Sequence, residues 1–370
     1  MKIVVKGYKY RIYPNEEQIE QINKTFGCVR FVYNQILAMK IETYKEDKKS
    51  LSKTACNNYC NRELKKEYLW LKEVDKFALT NSIYNLDKAY EKFFKEHIGF
   101  PKFKSKKNNY CSYTTNFTNN NIKADFENNR IQLPKLKWIK AKLHREFKGR
   151  ILFATLSRTP SGKYFISFNV ECKHKELEGN DNKVAFDLGI KEFIIDTKNN
   201  HIDNPRILKR HEDKLAKLQR QQAKKDKGSN NFKKQSKRIA KVHEKITNIR
   251  RDFQNKLSFN IINDNQVIIS EDLQIKNMIR NPKLAKAIQD VSWGEFTRQL
   301  QYKAEWNDRI YHKINPWFAS SQLCSECGNK NKEVKCLSVR EWVCDCGAIH
   351  QRDENAAKNI LNQGLKEINI

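Results

Sequence analysis

Three acidic residues stand where the amino-acid pattern predicts that strands end or a helix begins. Asp187 follows the apolar run 184–186, Glu271 follows the run 267–270, and Asp353 opens the last helical segment. Each acid alone has a structural explanation, as a turn residue, a solvated strand end or a helix N-cap. Their joint placement is more restrictive, because few folds bring two strand ends and a late helix start together.

The segments around these acids predict a definite order of elements. We predict three strands near residues 184–186, 193–195 and 201–202, a strand at 266–270, a helix at 283–306, a strand at 310–314 and a final helix from Asp353. This order is typical of a ribonuclease-H-like fold, in which acids on strands one and four and on the last helix meet. Such a cluster is unfavourable unless divalent cations neutralise it. Two Mg²⁺ about 4 Å apart would activate water and stabilise the leaving oxygen of a phosphodiester. The alternation does not decide between Glu271 and Asp272.

The charge balance points to a polyanionic partner. The 370 residues hold 72 Lys and Arg against 43 Asp and Glu, a net charge of +29, and nucleic acid is the first candidate. The excess is concentrated in a predicted helical hairpin, where residues 206–256 hold 18 Lys and Arg against 5 Asp and Glu. A Lys-rich solvated helix explains the tip of that hairpin equally well. The 39% hydrophobic content and 20 Phe exclude wholesale disorder.

Four of the ten cysteines form two closely spaced pairs near the C-terminus. The pairs are Cys324 with Cys327 and Cys344 with Cys346, and a glycine follows the second cysteine of each pair. This pattern predicts a four-thiolate zinc ribbon with a structural Zn²⁺. The second pair has one intervening residue rather than two, and Cys336 and His350 are spare candidate ligands. The apolar runs are too short to span a membrane, and the segment 3–5 is too short for a signal-peptide core. We therefore expect a cytosolic protein with reduced thiols.

The N-terminal half is predicted to contain a helical module and a separate group of strands. We predict a strand at 6–13 and a helical module over 15–96 opened by Asn15. We also predict a β-hairpin formed by 151–156 and 164–168. The first strand is expected to pair with this hairpin, which gives a β-barrel. Lysines and aromatic residues alternate between Pro101 and Phe117, a mixture that suits phosphate contact and base stacking. The candidate nucleic-acid contacts in this stretch are Lys102, Lys104, Lys106, Tyr113 and Thr114.

Together these motifs resemble the TnpB (OrfB) family, transposon-encoded RNA-guided DNA endonucleases related to the type V CRISPR effectors. The resemblance covers nearly the whole chain. The matching segments are 10–14 (YRIYP), 26–34 (FGCVRFVYN), 101–106 (PKFKSK), 186–190 (FDLGI), 269–273 (ISEDL), 321–328 (SQLCSECG), 337–342 (LSVREW) and 352–357 (RDENAA).

The resemblance implies an α+β multidomain protein. Its expected parts are a wedge β-barrel at 1–14 and 97–172, a helical recognition lobe at 15–96, a RuvC-like nuclease domain at 183–319 and 349–370 that carries the basic hairpin 206–262, and a zinc-finger insertion at 320–348. It implies Asp187, Glu271 and Asp353 as the Mg²⁺-binding catalytic triad, which selects Glu271 over Asp272. The implied partners are a guide RNA from the transposon end and a double-stranded DNA target with a short adjacent motif, bound by a monomeric ribonucleoprotein in the prokaryotic cytosol.

Two other functions are compatible with parts of the pattern. A nuclease-inactive RNA-guided regulator on the same scaffold would be expected to lack at least one of the three acids, and all three are present. A strand-transferring transposase would need chemistry such as a His-x-His pair with a nucleophilic Tyr, and the sequence contains no His-x-His. The sequence therefore favours RNA-guided cleavage.

Overall fold

The computed structural model describes residues 1–107, 110–336 and 338–370. The chain divides into two compact units, one of residues Ile3–Lys173 and one of Met1–Lys2 with His174–Ile370. Leu337 of the 337–342 motif and residues 108–109 of the predicted wedge segment lie outside the described residues. Among the helices of the described part, none has the length and apolarity that a membrane crossing requires.

A seven-stranded sheet is the centre of the first unit. Its strands are β1 (Lys2–Tyr13), β2 (Cys111–Asn116), β3 (Lys123–Asp125), β4 (Arg130–Leu133), β5 (Lys137–Lys142), β6 (Arg150–Arg158) and β7 (Tyr164–His174). They lie in the order β2-β6-β7-β1-β5-β4-β3. The first strand therefore lies beside the β6/β7 hairpin, as predicted. In place of the predicted barrel, the structure has this seven-stranded sheet, with β2 and β3 at the two ends of the strand order.

Helices fill the segment between β1 and β2. They are α1 (Glu16–Asp47), α2 (Lys53–Tyr59), a π-helical turn (Cys60–Leu64), α3 (Lys65–Glu67), a 3₁₀ turn (Leu69–Lys72) and α4 (Lys76–Glu96). Asn15 caps α1, because its side chain accepts from the Gln18 N–H while the Gln18 side chain accepts from the Asn15 N–H. The helical content predicted for 15–96 is confirmed. The division into wedge and recognition lobe stays a prediction.

The second unit is built on a five-stranded sheet. Its strands are β8 (Lys183–Asp187), β9 (Glu192–Asp196), β10 (His201–Asp203), β11 (Val267–Glu271) and β12 (Ile310–Ile314), in the order β10-β9-β8-β11-β12. β9 is antiparallel to β8 and β10, whereas β11 is parallel to β8 and β12. β8 and β11 are almost continuously apolar because helices cover both faces of the sheet.

Six helices accompany this sheet. They are α5 (Ile207–Ala223), α6 (Asn230–Asp264), α7 (Ile275–Met278), α8 (Pro282–Val291), α9 (Trp293–Trp306) and α10 (Arg352–Glu367). α5 and α6 pack on each other through Leu215, Val242 and Ile246, which confirms the predicted helical hairpin. The single helix predicted for 283–306 was wrong. Ser292 has a φ of 58°, which ends α8 and starts α9, and the periodicity of apolar residues continues across this break.

The two faces of the sheet are covered differently. Phe186, Phe193, Trp293 and Phe296 form a large core on one face, whereas the other face packs against α10. This second packing is unusually close, because a Cβ atom on Gly364 would lie 2.4 Å from Cγ2 of Ile269. Glycine at that position lets α10 approach β11, and its N-terminal turn then lies near the ends of β8 and β11.

A small module lies between β12 and α10. It contains a 3₁₀ turn (Glu333–Lys335) and a two-stranded antiparallel sheet of β13 (Glu341–Val343) and β14 (Ile349–Gln351). Val334 and Trp342 form its small core together with Cys324 and Cys344. β14 ends directly before α10, so the module is covalently continuous with the helix that carries Asp353.

Candidate functional site

The three predicted catalytic acids line one cleft. β8 and β11 run parallel with Phe186 opposite Ser270, so Asp187 and Glu271 end their strands at the same edge of the sheet. Asp353 lies in the first turn of α10. All three side chains are half-buried and face a cleft of about 950 Å³. The tertiary fold thus brings together residues that are more than eighty positions apart in sequence.

The electrostatics of this end of the cleft reflect the crowding of carboxylates. Burial raises the pKa of Asp187 well above its ordinary value, and the neighbouring Glu271 and Asp353 raise it further. Burial also raises the pKa of Glu271. Such a cluster of oxygen ligands fits Mg²⁺, which prefers carboxylates.

Ser320 is a contact that the sequence analysis did not identify. Its hydroxyl donates to Oε1 of Glu271 at 2.5 Å, which lowers the pKa of that carboxyl against the effect of burial. Asn359 of α10 holds the segment in place, because its Nδ2 donates to the carbonyls of Ser320 and Leu323. The only signal in the sequence was the position of Ser320 just before the first cysteine pair.

Arg340 makes a second contact with the acid cluster. It belongs to the 337–342 motif, but the sequence did not predict a role for it. Its Nη1 lies 3.1 Å from Oδ2 of Asp353. The backbone N–H of Arg352 donates to the carbonyl of Arg340 at 2.7 Å, which fixes the arginine beside the start of α10. The small module therefore supplies a cation to the acid cluster.

Asp272, the competing candidate, has a different environment. Its Oδ1 lies 3.2 Å from Nζ of Lys313 on β12, and it does not line the cleft. Glu271 does line the cleft, beside Asp187. The geometry therefore favours Glu271, in agreement with the motif position.

Beyond the three acids, the cleft is lined by basic, acidic and apolar side chains. The basic ones include Lys191, Arg206, Lys209 and Lys283, and the acidic ones are Glu192, Glu212 and Asp290. Two further cations are paired with acids. Lys286, which also lines the cleft, pairs with Glu212, and Arg250 pairs with Asp290 at 2.6 Å. The cleft thus combines an acid cluster suited to cations with basic side chains, some of them paired with acids, that suit phosphates.

The four paired cysteines meet in the small module. The Sγ atoms of Cys324, Cys327, Cys344 and Cys346 all lie within 4.8 Å of one another, with 3.7 Å between Cys324 and Cys346 and 3.5 Å between Cys327 and Cys344. Tetrahedral zinc with Zn–S bonds of 2.3 Å would place the sulfurs about 3.8 Å apart. Gly328 and Gly347 have φ of 79° and 86°, so both turns need glycine. The cluster fits Zn²⁺ despite the shorter second spacing.

The two spare candidate ligands differ in position. His350 is buried, and its Nε2 lies 3.0 Å from Sγ of Cys324, outside the four-sulfur group. Burial acts to raise the pKa of Cys324, but backbone N–H groups of Cys327 and Glu326 and the His350 side chain outweigh it and lower the pKa to about 6. Cys336 is exposed, and its Sγ lies 3.0 Å from the hydroxyl of Ser338.

The lysines predicted to contact nucleic acid lie on an extended loop of the first unit. Lys102 and Lys106 are exposed. Lys104 has an additional role, because its Nζ lies 3.9 Å from the centroid of the Tyr33 ring, and its backbone N–H and C=O bond to the side chain of Asn34 at 2.8 and 3.0 Å. Lys104 therefore also anchors the loop on α1.

Tyr113 and Thr114 of β2 have little free surface. Tyr113 is 5% exposed and packs edge-to-face on Phe26 with 5.8 Å between ring centroids. Thr114 shares a 2.8 Å hydrogen bond with the hydroxyl of Thr155. The alternating pattern identified the strand but not its face, and the burial of Tyr113 is that of a core residue rather than of a stacking platform.

Comparisons with known proteins place the chain in a family. Three family models match it: OrfB_IS605, described as "Probable transposase", over residues 167–282; the "Cas12f1-like, TNB domain" over 293–360; and the "Helix-turn-helix domain" of the OrfB group over 1–49. The last segment forms β1 and the long helix α1 here. The TNB match covers α9, β12, the cysteine module and the start of α10.

Relatives match along nearly the full length. A "Putative RNA-guided DNA endonuclease" of Streptomyces pristinaespiralis is 36% identical over 99% of this chain and 90% of its own, and the "Putative RNA-guided DNA endonuclease InsQ" of Escherichia coli K12 is 30% identical over 97% and 92%. The cryo-EM structure of a Cas12f1–sgRNA–target DNA complex has the same fold, with a TM-score of 0.62 at 12% identity over 97% of this chain and 99% of that one. This chain therefore belongs to the TnpB (OrfB) family.

Proposed function

We propose that this protein is an RNA-guided DNA endonuclease that hydrolyses phosphodiester bonds at the acidic end of its cleft. The observation that carries the proposal is the convergence of Asp187, Glu271 and Asp353 in a cleft that lysine and arginine side chains also line. The acids suit divalent cations, and the basic side chains suit a nucleic-acid backbone. We assign residues 183–319 and 349–370 to a RuvC-like nuclease domain on this basis.

Asp187, Glu271 and Asp353 would hold two Mg²⁺ ions. The raised pKa of Asp187 supports this, because burial and the neighbouring Glu271 and Asp353 disfavour its negative charge, an effect that bound cations would offset. Cations bound by such a cluster supply activation of the attacking water and stabilisation of the leaving oxygen. Cys324, Cys327, Cys344 and Cys346 would hold one structural Zn²⁺ in the 320–348 insertion.

Other side chains have supporting roles in this proposal. Ser320 fixes one oxygen of Glu271, and Arg340 holds Asp353. Lys191, Arg206, Lys209 and Lys283 bind the phosphates of the strand that leads to the acids.

The partners follow from charge and from the relatives. A net charge of +29 suits both RNA and DNA, and the relatives are named for RNA-guided cleavage of DNA. We propose a guide RNA from the transposon end, a double-stranded target read next to a short motif, and a monomeric ribonucleoprotein in the cytosol. The wedge (1–14 and 97–172) and the helical lobe (15–96) would grip them, with Lys102, Lys104, Lys106 and Thr114 as contacts and Tyr113 as their buried support.

The test is to supply two RNAs that differ only in their guide, together with two matching plasmids, at physiological salt. We expect each RNA to direct cleavage of its own plasmid, because base pairing selects the sequence while the protein reads the adjacent motif and duplex shape. Mismatches nearest the motif should reduce cleavage most. Cleavage that ignores the guide, or that proceeds equally without RNA, would contradict the proposal, and binding without cleavage would indicate a regulator instead.

A further inference from the structure

A histidine bridges two carboxylates close to the acid cluster. Nδ1 of His201, the first residue of β10, lies 3.0 Å from Oε2 of Glu192 on β9. Its Nε2 lies 3.4 Å from Oε1 of Glu354 on α10. Carboxylate oxygens only accept hydrogen bonds, so a ring that donates to both must carry hydrogen on both nitrogens and a positive charge. Glu192 raises the pKa of His201 most, and Glu354 raises it further.

The bridge ends one residue away from a proposed metal ligand. Glu354 follows Asp353 in the first turn of α10, and its backbone N–H donates to the side chain of Gln351 at 2.7 Å. The turn is held on another side by the Arg340 contact with Asp353. His201 is therefore a side-chain contact that attaches this turn to the β9–β10 edge of the sheet.

The attachment opposes an electrostatic force. Asp187, Glu192, Glu271 and Asp353 all line the cleft, and Glu354 adds a fifth carboxylate at its edge. Repulsion among these like charges acts against holding the first turn of α10 at the strand ends. A cationic ring between Glu192 and Glu354 attracts both of these carboxylates and reduces the net negative charge by one, without using any of the three proposed ligands.

We propose that His201 is a positioning residue for the metal-binding acids: by donating to Glu192 and Glu354 it holds the first turn of α10, and with it Asp353, at the ends of β8 and β11. The inference rests on the proposed function, because it assumes that the three acids bind divalent cations. Mutation of residues that position metal ligands without binding the metal themselves usually lowers metal affinity by 10- to 100-fold.

The chain offers a matched control at the other end of the same helix. Nε2 of His312 on β12 lies 2.7 Å from Oε2 of Glu367, the last residue of α10. His312→Ala removes a His–Glu contact of α10 without touching the turn that carries Asp353. If His201→Ala acts only by loosening the packing of α10, His312→Ala should weaken metal binding as well. If His201 positions Asp353, only His201→Ala should weaken metal binding.

The experiment is titration of the full-length protein with Mn²⁺ alone, followed by electron paramagnetic resonance of the free ion. Binding that is lost in Asp187→Ala defines the site. We expect His201→Ala to weaken this binding about tenfold, His201→Lys to restore part of it, and His312→Ala to leave it unchanged. The double variant His201→Ala/Glu354→Gln should bind Mn²⁺ no more weakly than His201→Ala, because both changes remove one interaction.

Two kinds of result would overturn the inference, and they are distinguishable. If Mn²⁺ binding depends on Asp187 but is the same in His201→Ala and His312→Ala, or if the double variant binds Mn²⁺ more weakly than His201→Ala, His201 does not position Asp353. If no Mn²⁺ binding depends on Asp187, the proposed metal site is itself wrong and the inference fails with it. Melting temperatures of the two alanine variants show whether either change has unfolded the chain.

Discussion

The guanidinium of Arg340 lies 3.1 Å from the carboxylate of Asp353, which links the cysteine module to the acid cluster. Arg340 precedes β13 of the module, and Asp353 lies in the first turn of α10. The link is reinforced by Asn355, whose Nδ2 donates to the carbonyl of Leu323 and whose Oδ1 accepts from the N–H of Ser325. The cysteine module and the acid cluster are therefore not independent parts of this protein.

Arg340→Gln is expected to lower cleavage by about tenfold to a hundredfold while leaving zinc content unchanged. The glutamine keeps a polar side chain but loses the charge that holds Asp353. Cleavage rates and metal analysis of the same preparation check this. The comparison variant is Arg298→Gln, which removes an exposed arginine paired with Glu295 on α9 and should cleave normally. Equal rates in both variants would contradict a role for Arg340 in the site.

Replacing Asp187, Glu271 or Asp353 with alanine is expected to abolish Mg²⁺-dependent cleavage and to leave RNA and target binding largely intact. Removing one acid lowers metal occupancy but barely changes a basic binding surface. Asp272→Ala is the matched control, since Asp272 adjoins Glu271 but pairs with Lys313. Full activity in Asp353→Ala, or a loss in Asp272→Ala equal to that in Glu271→Ala, would overturn the assignment.

The purified protein is expected to contain about one zinc per chain. Cys324→Ser, Cys344→Ser and Cys346→Ser should each lower zinc content and thermal stability, because metal binding and local folding are coupled. Cys336→Ser should change neither, since its sulfur lies outside the four-sulfur group. Inductively coupled plasma mass spectrometry measures the metal. Loss of zinc in Cys336→Ser with retention in Cys346→Ser would show that the fourth ligand has been misassigned.

Lys303 predicts a pH dependence of stability. It is 8% exposed, its Nζ donates to the carbonyl of Asn255 and the hydroxyl of Ser258 at 2.8 Å, and burial lowers its pKa to about 8. An unfolded lysine titrates near pH 10.4. Between about pH 8 and pH 10 the unfolded chain therefore binds more protons, and this group makes stability rise with pH.

Lys303→Met removes that titration. We expect the unfolding free energy of the wild type, relative to the variant, to increase by about 2 kcal/mol from pH 7 to pH 10. Denaturant unfolding followed by tryptophan fluorescence at several pH values measures the difference. A difference that does not change with pH would show that the Lys303 ammonium is not desolvated as described.

Much of the second unit could be predicted from local pattern. The apolar runs of β8 and β11, the paired cysteines with their glycines and the helical hairpin each carry their signal within a few residues. The break at Ser292 could not be predicted, because the apolar period continues through it. It is stabilised by Gln254 of α6, whose Nε2 donates to the carbonyls of Val291 and Ser292.

By itself the sequence determined the charge, the order of elements and the identity of the acids and thiols, because these depend on composition and on patterns within single segments. Only the tertiary structure decided that Ser320 contacts Glu271, that Arg340 contacts Asp353, that Tyr113 is buried and that His201 reaches Glu354. These pairings join residues that are distant in sequence, and no local periodicity encodes them. The contacts of Ser320, Arg340 and His201 depend on the close packing of α10 on the sheet, whereas the burial of Tyr113 depends on its packing against Phe26 in the first unit. Both are set by the fit of whole elements against each other.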